Sequence, residues 1–281
     1  MSDPETTIAF QGAPGAYSHL ACREAFPAMT PLPCVSFDDA FAAVAEKRAK
    51  LAMIPIENSV AGRVADIHHL LPESGLNIIA EHFQRVNHHL LAPHGATLST
   101  IKVVRSHVQA LSQVRKFLKK HGLKPEVVAD TAGAARDVAI ANDVSVGAVA
   151  SRLAAETYDL AIVTSDIEDA AHNTTRFVVM SREPLRPDPG TPCLTTFVFN
   201  VKSVPAALYK ALGGFATNGV NMTKLESYLA GERFEAAQFY ADVEGHPDQP
   251  ALQRALEELR FFSTSLKVLG VYPSNPYRRK H

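Results

Sequence analysis

The stretch Asn173-Thr174-Thr175-Arg176-Phe177-Val178-Val179-Met180 sets the interpretation of the whole chain. Its second half is an apolar run typical of a buried strand, and its first half puts an amide, two hydroxyls and a guanidinium at the strand entrance. Arginine binds carboxylates through paired hydrogen bonds, and hydroxyls stabilise negative charge as it develops. The stretch therefore indicates a site for a small anion. A polar turn whose side chains satisfy nearby backbone groups is the alternative.

Short apolar runs alternate with helical patterns between the N-terminus and this stretch. Strands are predicted at residues 7–10, 51–56, 76–80, 86–92, 103–104, 126–129, 145–149 and 160–163. Helices are predicted at residues 16–25, 37–48, 63–71, 107–120, 131–141 and 151–156. Strands that alternate with helices favour an α/β domain with largely parallel sheets.

The pattern changes after segment 181–192, which holds four prolines and one glycine and therefore resists both helix and sheet. Beyond it the predicted strands are 194–200, 220–230, 233–243 and 263–272, the predicted helices are 205–217 and 250–261, and the predicted hairpin turn is Ala230-Gly231-Glu232. The order βαββαβ is that of a ferredoxin-like module. The proline-rich segment is thus the predicted linker between two domains.

Composition argues against several classes of protein. The 281 residues carry a formal net charge of −1 without a basic stripe, so we expect no nucleic-acid partner. The three cysteines are scattered, as in reduced cytoplasmic proteins, and the polar N-terminus does not resemble a secretory signal. No apolar run approaches the length of a membrane span, so we expect no membrane partner. The basic end of the chain, residues 277–281, is predicted to be solvated.

Motifs for cofactors and metals are missing from the sequence. The glycine turn has the spacing Gly12-x-x-Gly15 and not the dinucleotide-binding GxGxxG pattern, and no phosphate-binding GxxxxGK[ST] loop occurs. The histidine pairs 68–69 and 88–89 are sequence neighbours, whose side chains point in different directions. There is no HExxH zinc motif and no GxSxG nucleophile elbow. We therefore expect neither a cofactor nor a metal ion.

Two further polar segments follow predicted strands. Glu57-Asn58-Ser59 lies at the carboxyl end of a strand, where open α/β sheets collect their ligands. Ser106 precedes a predicted helix that carries Gln109 and Gln113 on one face. Each segment has an alternative as an ordinary helix cap, made by Asn58 or Ser59 in the first and by Ser106 in the second.

A glycine turn joins the first predicted strand to the first predicted helix. In the segment Gln11 to Ser18, glycines would let backbone amides approach an anion, and Ser18 would add a hydroxyl near the helix N-terminus. A tight structural turn without a ligand explains the same residues equally well.

Taken in order, five segments resemble the signature segments of the prephenate dehydratase family. They are QGAPGAYS (11–18), PIENSVAG (55–62), SHVQALSQ (106–113), TAGAA (131–135) and NTTRF (173–177). The resemblance covers residues 6 to 180, and the module beyond the linker resembles an ACT regulatory domain, most clearly in Gly219 to Ser227. It implies an α/β fold, with a two-lobe, periplasmic-binding-protein-like catalytic domain followed by a βαββαβ ferredoxin-like ACT domain.

The resemblance also implies domain boundaries. The catalytic domain would comprise residues 6–182, with one lobe formed by 6–82 plus 164–182 and the other by 83–163. The linker would be 183–192 and the ACT domain 193–273. We expect residues 1–185 to fold alone, and we expect the chain to form a homodimer or homotetramer.

The activity implied by the resemblance is conversion of prephenate to phenylpyruvate, with loss of carbon dioxide and the ring hydroxyl. Thr175 would be the catalytic hydroxyl, and Glu57 is a second candidate for the proton donor. The residues expected to bind the substrate are Asn58, Ser59, Ser106, Gln113, Thr174, Arg176, Phe177 and Ser18. Arogenate, the amino analogue, is an alternative substrate, and a catalytically silent two-lobe sensor is an alternative function.

The ACT resemblance implies feedback inhibition by phenylalanine. The residues expected to bind this effector are Ala206, Ala207, Leu208, Asn221, Met222, Thr223, Leu225, Glu226 and Ser227. The sequence departs from the ACT pattern at Val204-Pro205 and at Tyr228-Leu229, which makes regulation a weaker expectation than catalysis.

Overall fold

The computed structural model describes residues 3–64, 67–202, 204–229 and 236–279. The chain divides into two compact units, each made of two segments. The first unit comprises Met1–Val64 and His82–Phe177, and the second comprises Ala65–Glu81 and Val178–His281. The predicted boundaries at residues 182 and 192 stay predictions, and the predicted hairpin turn at residues 230–232 lies outside the described residues.

Helices and strands alternate through most of the chain. The described helices are α1 (Tyr17–Ala25), α2 (Phe37–Ala45), α3 (Ile67–Glu73), α4 (Val108–Ser112), α5 (Arg115–Lys120), α6 (Thr131–Ala141), α7 (Arg152–Tyr158), α8 (Ala207–Thr217) and α9 (Pro250–Phe262). The described strands are β1 (Thr7–Gln11), β2 (Thr30–Cys34), β3 (Leu51–Asn58), β4 (Gly62–Arg63), β5 (Asn77–Arg85), β6 (His89–Ala92), β7 (Val103–Ser106), β8 (Lys124–Val127), β9 (Val146–Ala150), β10 (Ala161–Thr164), β11 (Thr174–Ser181), β12 (Cys193–Val201), β13 (Met222–Leu229), β14 (Ala236–Glu244) and β15 (Ser263–Pro273). Short 3-10 helices lie at Pro4–Thr6 and Pro276–Arg279.

The first unit contains two sheets. One has the strand order β11-β3-β1-β2, with β4 added antiparallel to β3. The other has the order β10-β6-β9-β7-β8 and is mixed, because β6 runs antiparallel to β9 and to β10. The α/β fold class is confirmed, although the prediction of largely parallel sheets is too simple for the second sheet.

Successive residues of β6 pack into different cores, which shows how the second sheet is covered. Leu90 packs with α4 and α5 residues, including Leu111 and Leu118, whereas Leu91 packs with Val138 and other residues of α6 and α7. Adjacent strand residues point to opposite faces, so this sheet is covered on both sides. The packing of α4 fixes the position of Gln113, which caps its C-terminus.

The second unit contains the predicted ferredoxin-like module. Its elements follow the order β12-α8-β13-β14-α9-β15, and the strands pair antiparallel in the spatial order β13-β14-β12-β15. The sheet continues from β15 to β5, where Gly270 pairs with Ile78. A Cβ at residue 270 would lie 2.1 Å from the Ile78 carbonyl oxygen, so this pairing needs a glycine.

Three local predictions are wrong. Strand β2 was missed because Pro31 and Pro33 argue against a strand, but β2 ends the sheet order next to β1, and edge strands tolerate proline. The single helix predicted at 107–120 is two helices, α4 and α5, separated by Gln113 and Val114. The helix predicted from residue 63 begins at Ile67, since Gly62–Arg63 form β4.

The basic C-terminal segment is not a solvated end, as far as it is described. Both oxygens of the fully buried Glu81 carboxylate accept hydrogen bonds from Arg278, at 2.7 Å from Nε and 2.8 Å from Nη2. The Asn275 backbone N–H also donates to Glu81, at 3.1 Å. A bidentate guanidinium pair supplies the partners that a buried carboxylate requires. The sequence prediction failed because the partner is 197 residues away.

Candidate active site

Asn58, the last residue of β3, organises one face of the β3–β11 strand pair. Its Oδ1 accepts hydrogen bonds from the backbone N–H groups of Val60 and Ala61, at 2.9 and 2.8 Å. These bonds fix the amide so that its Nδ2 donates to Asn173 Oδ1 at 2.7 Å and to Thr175 Oγ1 at 2.9 Å. The two segments that the sequence singled out therefore meet through side chains.

The opposite face of the same strand pair carries an ion pair. Arg176 Nη1 donates to Glu57 Oε1 at 3.1 Å, and the Arg176 side chain is only 3% exposed. Glu57 and Arg176 each neighbour a residue of the Asn58–Thr175 contact, so strand alternation puts them on the other face. This corrects the prediction that the five side chains of residues 173–177 form one anion site, because Arg176 lies apart from Thr175.

The hydrogen bonds around Asn58 continue into α4 and β6. Asn173 Nδ2 donates to Gln113 Oε1 at 2.8 Å, and His88 Nε2 lies 2.7 Å from the same oxygen. His88 Nδ1 lies 2.9 Å and the Asn87 carbonyl oxygen 2.6 Å from the Tyr17 hydroxyl, whose single proton is donated to one of the two; an Nε2-protonated neutral ring accepts it at Nδ1. A chain of polar side chains thus runs from Thr175 through Gln113 to the first helix.

The protonation states in this chain follow from the donors and acceptors present. Gln113 Oε1 only accepts, so the pattern assigns a proton to His88 Nε2. Burial lowers the pKa of His88, which favours the neutral imidazole. Burial also raises the pKa of Tyr17, and the Glu168 carboxylate raises it further, so Tyr17 stays a phenol that can donate.

A cavity of about 350 Å³ lies beside this chain, a volume typical of small-molecule sites. Gln113 and Asn173 line it together with Val60, Ala61, Gln109, Ser112, Glu168, Asp169 and Ala170. The two carboxylates are satisfied, since Glu168 accepts from the His88 backbone N–H and Asp169 accepts from that of Lys116. Thr175 does not line the cavity and is joined to it through Asn58 and Asn173.

A larger cavity, of about 560 Å³, lies at the other end of the chain of hydrogen bonds. Tyr17 and His89 line it with Leu20, Arg23, Glu24, Gln84, Arg85, Asn87, Ser151, Arg152, Leu153, Glu156 and Asp166. We take the smaller cavity as the candidate active site, because Gln113 and Asn173 line it and Asn58 links Asn173 to the Thr175 hydroxyl.

Ser59 and Thr174 hold the ends of β3 and β11 together. The Ser59 hydroxyl donates to the His172 carbonyl oxygen at 2.7 Å and accepts from the Thr174 backbone N–H at 3.0 Å. The Ser59 backbone N–H donates to the Thr174 carbonyl oxygen at 2.9 Å. These contacts position the Asn58 and Thr175 side chains next to one another.

Two predicted substrate ligands are structural instead. Ser106 is fully buried and donates to the Val149 carbonyl oxygen at 2.6 Å, which satisfies its hydroxyl inside the sheet. It does not cap α4, a role that His107 takes. Phe177 is 1% exposed and belongs to the buried core, because β11 is fully buried from this residue to Met180.

The glycine turn before α1 packs closely against the N-terminus of α7. The Gly15 N–H donates to His19 Nδ1 at 3.0 Å, and the Gly15 carbonyl oxygen accepts from Ser151 of the α7 N-terminus at 2.5 Å. At Gly15 φ is +90°, and a Cβ would lie 2.8 Å from the Ala154 Cα. Ser18 lies in the first turn of α1, and no described hydrogen bond joins it to the site.

The predicted effector residues do not surround one cavity within the described chain. Ala206, Ala207 and Leu208 border an open depression of about 510 Å³ at the start of α8. The others belong to β13 or precede it: Asn221, Met222, Thr223, Leu225, Glu226 and Ser227. Met222 packs on the module core and Glu226 pairs with Lys224, whereas Leu225 is exposed.

Comparison with known proteins gives the same assignment for the whole chain. The prephenate dehydratase family model matches residues 8–185. A bifunctional N-acyl-homoserine lactone acylase/prephenate dehydratase from Komagataeibacter europaeus is 55% identical and covers 98% of this chain and 99% of its own length. The arogenate dehydratase/prephenate dehydratase 2 of Arabidopsis thaliana is 40% identical over 95% of this chain and 72% of its own.

A solved structure agrees with these relatives. The prephenate dehydratase of Arthrobacter aurescens in complex with L-Phe superimposes with a TM-score of 0.86 and 29% identity, over 95% of this chain and 90% of that one. No helix among the described residues is long and apolar enough to cross a membrane. The chain belongs to the prephenate dehydratase family and is an enzyme of the hydro-lyase class.

Proposed function

We propose that this enzyme converts prephenate to phenylpyruvate, with Thr175 as the catalytic hydroxyl. The observation that carries the proposal is the state of that hydroxyl. Thr175 Oγ1 accepts a hydrogen bond from Asn58 at 2.9 Å, and no described hydrogen bond uses its own proton. The proton is therefore available to an oxygen atom that acquires negative charge. The proposal requires the bound substrate to extend past Asn173 and Asn58 to this hydroxyl, because Thr175 does not itself line the cavity.

The reaction needs little more than positioned donors. The bond between the ring and its carboxylate breaks, and its electron pair enters the ring while the carbon–oxygen bond at the far ring carbon breaks. The departing hydroxide is stabilised by a hydrogen bond, takes up one proton from solvent and leaves as water, and the carboxylate leaves as carbon dioxide. Aromatisation of the ring drives the reaction, so stabilising the departing oxygen is the main task of the protein, and Thr175 donates to it.

The roles of the neighbouring side chains follow from their contacts. Asn58 holds the Thr175 hydroxyl, and the Gln113 amide lines the cavity as a donor to a substrate carboxylate. Glu57 holds Arg176 on the opposite face of the strand pair, so we assign it a structural role and assign the hydrogen bond to the departing oxygen to Thr175. Ser59 and Thr174 orient the strand ends rather than contact the substrate.

The preference of the enzyme for prephenate or arogenate depends on whether its site binds the keto group of the first or the amino group of the second. Plant relatives named for both substrates are 37–40% identical to this chain. The test is kcat/KM of the purified protein on each substrate, with and without millimolar phenylalanine. We expect faster turnover of prephenate; faster turnover of arogenate would reverse the substrate assignment, and inactivity on both would reject the proposed function.

Regulation by phenylalanine through the second unit belongs to the same proposal. Its support is the ferredoxin-like topology and the depression at Ala206, Ala207 and Leu208. The Arthrobacter relative was solved with L-Phe bound. We propose a cytoplasmic homodimer or homotetramer in which phenylalanine stabilises the less active arrangement of the chains; unchanged activity at millimolar phenylalanine would reject this proposal.

Acylase activity is a second candidate function, because the 55% identical relative is named for both activities. Amide hydrolysis needs an activated nucleophile next to a base, whereas Thr175 is next to the amide of Asn58. The test is hydrolysis of N-acyl-homoserine lactones by the wild type and by Thr175→Ala. Hydrolysis that survives this substitution while dehydration is lost would place acylase chemistry at a different site.

A further inference from the structure

The orientation of the Gln113 side chain is determined by two donors on one atom. Asn173 Nδ2 and His88 Nε2 both contact Gln113 Oε1, at 2.8 and 2.7 Å. An amide oxygen has two lone pairs, so its accepting capacity is used. The Gln113 NH₂ group has no hydrogen-bond partner among the described residues, and Gln113 lines the 350 Å³ cavity.

We propose that His88 is a positioning residue for dehydration: its Nε2–H fixes the Gln113 amide with the NH₂ group available to a substrate carboxylate in the cavity. This inference rests on the proposed function and adds to it a residue that does not itself line the cavity. If the Gln113 side-chain amide were flipped by 180°, its oxygen would face the substrate carboxylate and repel it. The imidazole donor, together with the Asn173 amide, thus decides whether the cavity presents a donor or an acceptor at this point.

The surroundings of His88 suit this role, since contacts on the side of the ring away from Gln113 and at the backbone hold it in place. Its Nδ1 contacts the Tyr17 hydroxyl at 2.9 Å, and its backbone N–H donates to Glu168 at 3.0 Å. The residue is 2% exposed, so water does not compete for these bonds. The ring of Tyr17 packs edge-on against it, with the centroids 5.7 Å apart.

The positioning role is independent of the charge of His88. In the neutral ring the proton lies on Nε2, and in the imidazolium both nitrogens carry protons, so the donor to Gln113 is present in both states. The titratable groups that face the ring are Tyr17, Glu168 and His89. A general acid or base, in contrast, changes its function when it titrates.

Two substitutions of His88 distinguish the roles of its two ring nitrogens. In His88→Gln the side-chain NH₂ reaches the former Nε2 position and retains a donor to Gln113. In His88→Asn the shorter amide reaches only the Nδ1 position next to Tyr17. We expect His88→Asn to raise KM for prephenate about tenfold with kcat nearly unchanged, the effect of losing one hydrogen bond to a charged group. His88→Gln should stay within about threefold of the wild-type KM.

His89→Asn is the matched control, because it changes the neighbouring histidine, which lines only the larger cavity, and retains an acceptor for the Asp166 N–H. It should leave KM unchanged. Equal KM values for the Asn and Gln variants of His88, or a raised KM in the control alone, would overturn the proposal. A kcat/KM pH profile that loses a limb in His88→Gln would instead identify His88 as an acid or base.

A measurement on the wild type keeps the proposal testable if the variants do not fold. ¹⁵N NMR of histidine-labelled protein at neutral pH should show His88 with its proton on Nε2; a proton on Nδ1 alone would overturn the proposal. This signal does not depend on activity. A wild type that turns over neither prephenate nor arogenate would reject the proposed function, whereas an active wild type with the opposite tautomer would reject only the role of His88.

Discussion

Strands β3 and β11 carry two unlike faces. On one face Asn58, Asn173 and Thr175 form a set of uncharged hydrogen-bonding groups, whereas on the other Glu57 and Arg176 form an ion pair with a buried guanidinium. Neutral groups can present a donor without a counter-ion to compete for it, whereas a buried charge is occupied by its partner. The difference supports the proposal that the neutral face carries the chemistry, since only that face presents a donor proton that no described partner uses.

Removing the Thr175 hydroxyl should produce the largest effect. Thr175→Ala is expected to lower kcat about 100- to 1000-fold with KM near the wild-type value, because one donor to the developing oxyanion is lost. Thr175→Ser retains the hydroxyl and should keep most of the activity. The measurement is steady-state kinetics on prephenate with circular dichroism as a check of folding. An alanine variant with wild-type kcat would remove Thr175 from the mechanism.

Neutralising the other face should affect stability more than catalysis. Glu57→Gln removes one carboxylate partner of the buried Arg176 guanidinium, and we expect the free energy of unfolding to fall by about 1–3 kcal/mol, less than for a fully buried pair because Glu57 is 35% exposed. Urea denaturation measures this change, and kcat should stay within about threefold. A hundredfold loss of kcat at unchanged stability would make Glu57 the proton donor.

Acidification should weaken the neutral face and its neighbours modestly. Burial lowers the pKa values of His19, His88 and His89 below their usual 6.5, so the unfolded chain binds these protons first. The free energy of unfolding should therefore fall as the pH drops below 6.5, by at most about 1.4 kcal/mol per pH unit for the buried His88 and by less for the half-exposed His19. Urea denaturation between pH 7.5 and 5.5 tests this, with His88→Gln as the variant whose slope should be smaller; equal stability across this range would contradict the expectation.

Local signals predicted most of the fold. Helix α6 has the predicted bounds, because Asp130 caps its N-terminus and Asn142 ends it in the left-handed conformation. The edge strand β2 was missed because prolines argue against a central strand, although an edge strand tolerates them. The break after α4 was missed because no proline or glycine marks it.

The site was only partly predictable, since its contacts connect distant residues. The sequence identified Asn58, Gln113 and Thr175, which the structure connects through Asn173. His88 was set aside as one of a histidine pair, and Tyr17 was passed over in favour of Ser18, although both belong to the chain of hydrogen bonds. Their partners lie 25 and 71 residues away, and no local pattern shows such pairing.

The Gly270–Ile78 pairing and the Arg278–Glu81 ion pair have a practical consequence for dissecting this enzyme. A fragment that ends at residue 185 would retain β5 but lose β15 and Arg278. It would therefore present an open strand edge and a buried Glu81 carboxylate that has lost its Arg278 guanidinium, features that favour aggregation and loss of stability. This reverses the expectation from the sequence that residues 1–185 fold alone. We now expect such a fragment to be recovered mainly from inclusion bodies, so a soluble catalytic unit would have to retain the C-terminal segment or replace Ile78 and Glu81.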